Sequence, residues 1–127
     1  MKYHIYDISY VLSGALLMNP VTFYKCLSED TRLKCLLLIM IKGELCVCDL
    51  ISALQLSQPK VSRHLAELRK CGILSDQKRG KWVFYEINQT LPKWAFEVLT
   101  VTTKNHHTYL NDCLRHLDTA KLIDNCC

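Results

Sequence analysis

The run Glu44-Leu45-Cys46-Val47-Cys48-Asp49-Leu50 places two thiols one residue apart in a segment otherwise patterned as a core helix. Thiolates are nucleophiles and ligands for soft ions. A helix turns so that residues i and i+2 lie roughly 200° apart. In an intact helix Cys46 and Cys48 would therefore point to nearly opposite sides and could not both grip one small ion. The first turn of a helix is a special place, because its N–H groups lack intrahelical partners and its positive dipole end favours thiolates. Glu44 and Asp49 act against that effect, so no large drop in thiol pKa is expected. Two readings stay open from spacing alone: a pair of small buried hydrophobes, or a thiol pair that works by unwinding the helix start. A zinc site is poorly served, since zinc wants four ligands, usually from C-x-x-C pairs or Cys/His sets. The chain contains no C-x-x-C pair.

A second group of reactive side chains is electrostatic. In "SQPKVSRHLAELRKCG", Val61, Leu65 and Leu68 follow at helical spacing and must face inward. That leaves Gln58, Lys60, Ser62, Arg63, His64 and Glu67 outward, with Ser57 as the N-cap and Pro59 tolerated in the first turn. Arg and Lys read guanine, Gln reads adenine, and Ser adapts to either. Downstream, Lys78, Arg79 and Lys81 surround Arg79-Gly80 at an expected turn, where they suit phosphate or a minor groove. Basic residues alone are ordinary solvated charges. Their order along the chain makes the stronger case: turn, cap, basic first turn, basic hairpin tip.

Asn19-Pro20 opens a short helix carrying Phe23, Tyr24 and Leu27. Ser28 and Asp30 are the expected N-caps of a central helix Thr31–Lys42, ended by Gly43. Glu44–Leu54 is the expected next helix. Gln55-Leu56-Ser57 then makes a three-residue break before the helix closed by Gly72, which is a helix-turn-helix. The alternation in "KWVFYEI" predicts a β-hairpin, or wing. Pro92 opens an expected last helix of about two dozen residues, amphipathic enough to pack on a partner chain. The fold class expected is mainly α with a small β-hairpin, a winged helix-turn-helix that dimerises through its terminal helices. The expected division is an extension over 1–19, a DNA-binding domain over 20–91, and a dimerisation helix with a cysteine-bearing tail over 92–127. The extension is read as weakly ordered or as an upstream-start artefact, with a genuine extra helix as the alternative.

The 127 residues suit one domain, half of them hydrophobic, with a formal net charge of +4. Eight cysteines would be a disulfide framework in a secreted chain. Asp7 interrupts the N-terminal apolar stretch, which makes a poor signal peptide, and no apolar run is long enough for a membrane span. A reducing cytoplasm is therefore expected, with cysteines that are free, metal-binding or sensory. Catalysis is not expected: no nucleophile–base pair is recognisable, and four glycines supply no phosphate-cradling loop.

The stretch "LSEDTRLKCLLLIMIKGELCVCDLISALQLSQPKVSRHLAELRKCGILSDQKRGKWVFYEIN" resembles the arsenical-resistance repressors of the ArsR/SmtB family, from about Phe23 to Trp94. The "ELCVCDL" box is similar to that of the arsenic- and antimony-sensing branch. The resemblance implies that Cys46 and Cys48 bind trivalent arsenic, that As(III) or Sb(III) is the inducer, and that no cofactor is required. It implies a homodimer on double-stranded operator DNA, with no membrane partner. One position departs: the third cysteine of the best-known pattern is Ile51 here. Candidate third ligands are Cys126 and Cys127, then Cys26 or Cys35. The family's zinc site on the last helix is poorly matched, since His106, His107, Asp112 and His116 lack its spacing. Cys71 and Cys113 read as structural. Two alternatives accompany the repressor reading: a thiol-redox or other-metal sensor of the same fold, or a metal-handling protein that binds no DNA.

Overall fold

The computed structural model describes residues 18–123. The expectations for residues 1–17 and for Cys126 and Cys127 lie outside these residues. The elements run α1 (Pro20–Leu27), α2 (Asp30–Lys42), β1 (Glu44–Cys46), α3 (Val47–Leu54), α4 (Gln58–Lys70), β2 (Leu74–Arg79), β3 (Trp82–Ile87), α5 (Lys93–Asn105) and α6 (His107–Ile123).

α2 is the hub. Five successive residues, Cys35 to Ile39, are fully buried, so no side of this stretch faces water and the helix must lie at the centre. α1, α4, α5 and β3 pack around it. The α2 N-cap is Glu29 rather than Ser28 or Asp30: its Oε1 accepts from Arg32 N–H at 2.8 Å. Ser28 instead ends α1, donating its hydroxyl to the Lys25 carbonyl at 2.9 Å. Asn19 caps α1 as its sequence suggests, accepting from Thr22 N–H at 2.8 Å.

The expected helix Glu44–Leu54 is corrected at its start. Glu44–Cys46 is a strand, antiparallel to β3 with Glu44 opposite Glu86, Leu45 opposite Tyr85 and Cys46 opposite Phe84. The sheet order is β1-β3-β2. Strand geometry wins because it buries Leu45 while giving β3 a second hydrogen-bonded edge. The helix begins only at Val47, with Cys46 as its extended N-cap (φ −90°, ψ 169°).

The helix-turn-helix forms as expected. α3 closes with Gln55 in the left-handed conformation (φ 56°), its N–H bonded to the Ile51 carbonyl at 2.9 Å. Ser57 caps α4, accepting from Lys60 N–H at 3.4 Å, and Val61, Leu65 and Leu68 are fully buried. Ser57→Ala is expected to cost about 1 kcal/mol of stability, the usual worth of such a cap; urea unfolding checks it. Gly80 (φ 63°) opens the two-residue hairpin loop between Arg79 and Trp82, the position that favours glycine in such loops.

The single last helix is also corrected. It is two helices, broken at His106, whose backbone (φ −136°, ψ 51°) leaves the helical region. The break redirects α6 onto α3 of its own chain, where Leu110, Cys113 and Leu117 are buried. Tyr109 fastens this arrangement by donating its hydroxyl to Asp30 Oδ1 at 2.6 Å. Burial and then that bond push the Tyr109 pKa up. The same bond, with Lys34 beside it, holds the Asp30 carboxyl below its ordinary range. A lowered carboxylate pKa stabilises the fold above its unfolded value and stops doing so as pH falls through the folded one. Tyr109→Phe is thus expected to lower the Tm at neutral pH, with the deficit shrinking as the carboxylate protonates; thermal scans across acid pH check it.

Cys26 and Cys71 are disulfide-bonded. The bond takes up the sulfur of Cys26, which was a candidate third ligand, and gives Cys71, read as structural, a bonding partner. Cys35 and Cys113 are buried and unbonded.

Candidate thiol site and nucleic-acid interface

Cys46 and Cys48 sit at a joint. Cys46 is the last residue of β1 and the cap of α3; Cys48 is the second residue of α3. Cys46 is fully buried and Cys48 half-buried. The Asp49 carboxylate accepts from the Cys46 N–H at 3.0 Å, pinning the strand end to the first helical turn. Because Cys46 is extended, the opposed-faces argument for an unbroken helix does not apply. The backbone at Cys46 already lies outside the helix, so the unwinding step expected for that position has no helical turn there to act on.

The box is bonded to the wing. β1 shares its ladder with β3, and Arg79 at the wing donates to both Glu44 carboxylate oxygens, at 2.8 and 2.6 Å. That pair lowers the Glu44 pKa and raises that of Arg79. Arg79 also stacks 4.6 Å from the centre of the Phe84 ring. Arg79 is therefore tied back toward the box, whereas Lys78 reaches solvent and the Lys81 ammonium lies 5.5 Å from the Trp82 ring centre. The Glu44–Arg79 link was not legible in the sequence, since the partners are 35 residues apart.

On α4, Gln58, Lys60 and Arg63 are exposed and Ser62 half-exposed. Gln58 Nε2 donates to Ser62 Oγ at 2.9 Å, which organises the first turn. Among the described residues Lys60, Arg63 and Lys78 have no salt-bridge partner, so their charge is available to an anionic partner. His64 is set apart from this face. Its side chain is 14% exposed and turned toward Glu29, with Nδ1 3.7 Å from the carboxylate. Its geometry places it between α4 and the start of α2.

The other candidate ligands are dispersed. Ile51, at the departing position, is half-buried in α3. The Cys26 sulfur is taken by Cys71. Burial pushes the Cys35 thiol up to about 12, with Glu29 and Cys113 adding to the effect, which makes it a poor ligand. His106 and His116 contact the carbonyls of Thr102 and Ala53, at 3.0 and 3.4 Å, and Asp112 pairs with Arg115 at 2.9 Å. Among the described residues no three His, Cys, Asp or Glu side chains gather as a metal-holding group.

The family described as "Bacterial regulatory protein, arsR family" matches residues 29–76, from the N-cap of α2 to the middle of β2. The chain is 44% identical over 114 residues to the arsenic resistance transcriptional regulator ArsR2 of Pseudomonas putida, covering 87% of this chain and 99% of that protein. It is 51% identical over 80 residues to the arsenical resistance operon repressor of Escherichia coli, covering 63% of this chain and 68% of that one. Among solved structures, HlyU from Vibrio cholerae superposes with a TM-score of 0.61 at 27% identity, over 75% of this chain and 95% of that one. The antimony-specific transcriptional repressor AntR gives a TM-score of 0.57 at 28% identity, over 80% and 88%. Motif, fold and likeness converge: the chain is a winged helix-turn-helix member of the arsR family of bacterial regulatory proteins.

Proposed function

We propose that this protein is a transcriptional repressor that binds operator DNA and lets go when trivalent arsenic or antimony binds Cys46 and Cys48. The observation that carries the reading is the position of the box at the β1–α3 joint, hydrogen-bonded to the wing on one side and continuous with the helix-turn-helix on the other. Each Cys thiol displaces one hydroxide of arsenous acid as water, giving an arsenic–sulfur bond per cysteine. Closing such a bridge draws the end of β1 and the first turn of α3 onto one atom. β1 carries β3 through its ladder, and α3 sets the angle of α4. The bound shape must disfavour DNA, and by linkage DNA must weaken arsenite binding. Two thiols form a minimal site; Cys126 and Cys127 are the third-ligand candidates.

The DNA-reading group is Ser57, Gln58, Lys60, Ser62 and Arg63 on α4, with Lys78 and Lys81 at the wing. Arg79 joins them once released from Glu44. The working unit is a homodimer acting in the cytoplasm, with its reading helices about 34 Å apart on a two-fold site. Its interface is α1 with α5. Val21 and Tyr24 on α1, and Phe96 and Val101 on α5, are exposed apolar residues. Phe23 and Trp94 join the two helices edge to face at 5.0 Å. α6 is committed to α3 on its apolar side, so the expected interface shifts from the whole last segment to its first half. No described helix is long and apolar enough to cross a membrane.

The deciding experiment is fluorescence anisotropy of the reduced protein on its own promoter DNA, titrated with arsenite. The reading requires salt-sensitive binding and full release by arsenite. A protein that never binds the promoter, or that stays bound at saturating arsenite, overturns it.

A further inference from the structure

Cys26 and Cys71 stand 45 residues apart in sequence and are disulfide-bonded. Cys26 is the penultimate residue of α1, and Cys71 is the C-cap of the reading helix α4. Their bond ties the helix that carries Val21 and Tyr24 to the far end of the helix that carries Lys60 and Arg63. The pair lies in an open surface pocket lined by Thr22, Lys25, Arg32 and Glu67 as well as the two cysteines. Cys71 is half-exposed and Cys26 is 8% exposed, so a small solute reaches Cys71 first. Arg32 is fixed beside Cys26, its Nε donating to the Cys26 carbonyl at 2.8 Å. Lys25 and the Glu67 carboxylate line the same pocket, so charged groups of both signs surround the pair. The remaining described thiols outside the box are different: Cys35 and Cys113 are buried in the core, away from solutes.

We propose that Cys26 and Cys71 form a redox modification site, a dithiol that a peroxide converts to the disulfide and a small thiol restores. The Cys71 thiolate attacks one peroxide oxygen. The O–O bond breaks, a sulfenic acid forms and the departing oxygen leaves as water. The Cys26 thiolate then attacks the sulfenic sulfur, forming the S–S bond and expelling the second oxygen as water. Two thiols have lost two protons and two electrons, and one peroxide has become two waters. Thiol–disulfide exchange reverses the change. The bond ties the C-terminal end of α4 to the end of α1 and so restricts how far the reading helix can shift when it docks; the proposed effect of oxidation is weaker operator binding. It acts at the opposite end of the helix-turn-helix from the Cys46–Cys48 box and needs no arsenical.

The test uses the full chain carrying Cys46→Ser and Cys48→Ser, so that the box thiols take no part. The protein is reduced, treated with hydrogen peroxide, then split between non-reducing peptide mapping and anisotropy on promoter DNA. A Cys26–Cys71 linked peptide is expected, lost on adding dithiothreitol, together with a roughly tenfold weakening of DNA binding, within the usual range of coupling between sites. Adding Cys26→Ser or Cys71→Ser should remove both effects. The proposal falls if the two cysteines are alkylated independently after peroxide. It also falls if the link forms and DNA affinity is unchanged, which would make the pair a structural clasp. Because no arsenite is added, and the peptide map needs no DNA, this outcome is separable from failure of the arsenical reading.

Discussion

Serine at both Cys46 and Cys48 is expected to leave promoter binding within a few-fold of wild type while abolishing release by arsenite. The asymmetry has a local basis. Serine is close in size to cysteine, and position 46 is a helix N-cap, where serine is among the preferred residues. Its hydroxyl can serve the orphan N–H groups of the first turn, which offsets the cost of burying it at a site where the cysteine is fully buried. The fold should therefore survive. Arsenic–sulfur bonding does not: a hydroxyl is a hard, weak ligand for a soft centre. The measurement is the arsenite midpoint for release from promoter DNA, wild type against double variant, with far-UV circular dichroism to confirm folding. Equal midpoints would move sensing away from the box, and truncating Cys126 and Cys127 would then become the decisive comparison.

Alanine at Arg63 or Lys60 should produce the second large effect, a loss of affinity that is separable into two kinds by salt. A side chain bidentate to a base contributes about 1–3 kcal/mol of discrimination, and a phosphate contact lowers affinity uniformly and reduces the salt slope by about one. Both residues are exposed on the first two turns of α4, where a reading helix meets base edges. A two-fold dimer doubles each effect, because both half-sites lose the contact. Arg63→Ala is expected to weaken binding by roughly 10²-fold or more per dimer and to relax sequence preference, from the base-contact magnitude above. Lys60→Ala should weaken specific and nonspecific DNA alike. Anisotropy on promoter and scrambled duplexes at several salt concentrations checks both. His64→Ala is the internal contrast: turned toward Glu29, it should alter stability more than sequence preference.

The Glu44–Arg79 pair connects these two predictions. One partner lies two residues before Cys46 and the other at the wing. In the proposed mechanism, movement of β1 toward a bridging arsenic would be transmitted to a guanidinium that is one of the proposed DNA-contacting groups. An exposed pair of this kind adds little to stability. Its interest is directional, since it gives the box a mechanical hold on the wing beyond the backbone ladder.

How much of this was written locally can be followed residue by residue. The α4 helix was legible because its cap, its tolerated proline, its apolar stripe and its closing glycine all lie within one short segment. The same holds for the α1 cap at Asn19 and the turn at Gly80, whose conformations depend on neighbours in the chain. The Cys-x-Cys box was visible as a motif, and the likeness to arsenical-resistance repressors gave it a meaning that spacing alone did not.

What failed to show were the features made by partners far away in sequence. β1 is three residues long, too short for any period, and it exists because β3 offers it a ladder. That one element changed the reading of the box, for it turned Cys46 from an expected helical residue into the extended N-cap of α3. The break at His106 follows from where α6 finds an apolar surface, which is the back of α3. His64 looked outward by helical position and turned inward because Glu29 waits there. Cys26 and Cys71 have no motif between them. Caps, turns and stripes are short-range energies, and the sequence by itself determined those, together with the family. Strand pairing, helix docking and thiol contacts between residues distant in sequence are set by which surfaces meet when the core closes around α2, and only the tertiary structure decided them.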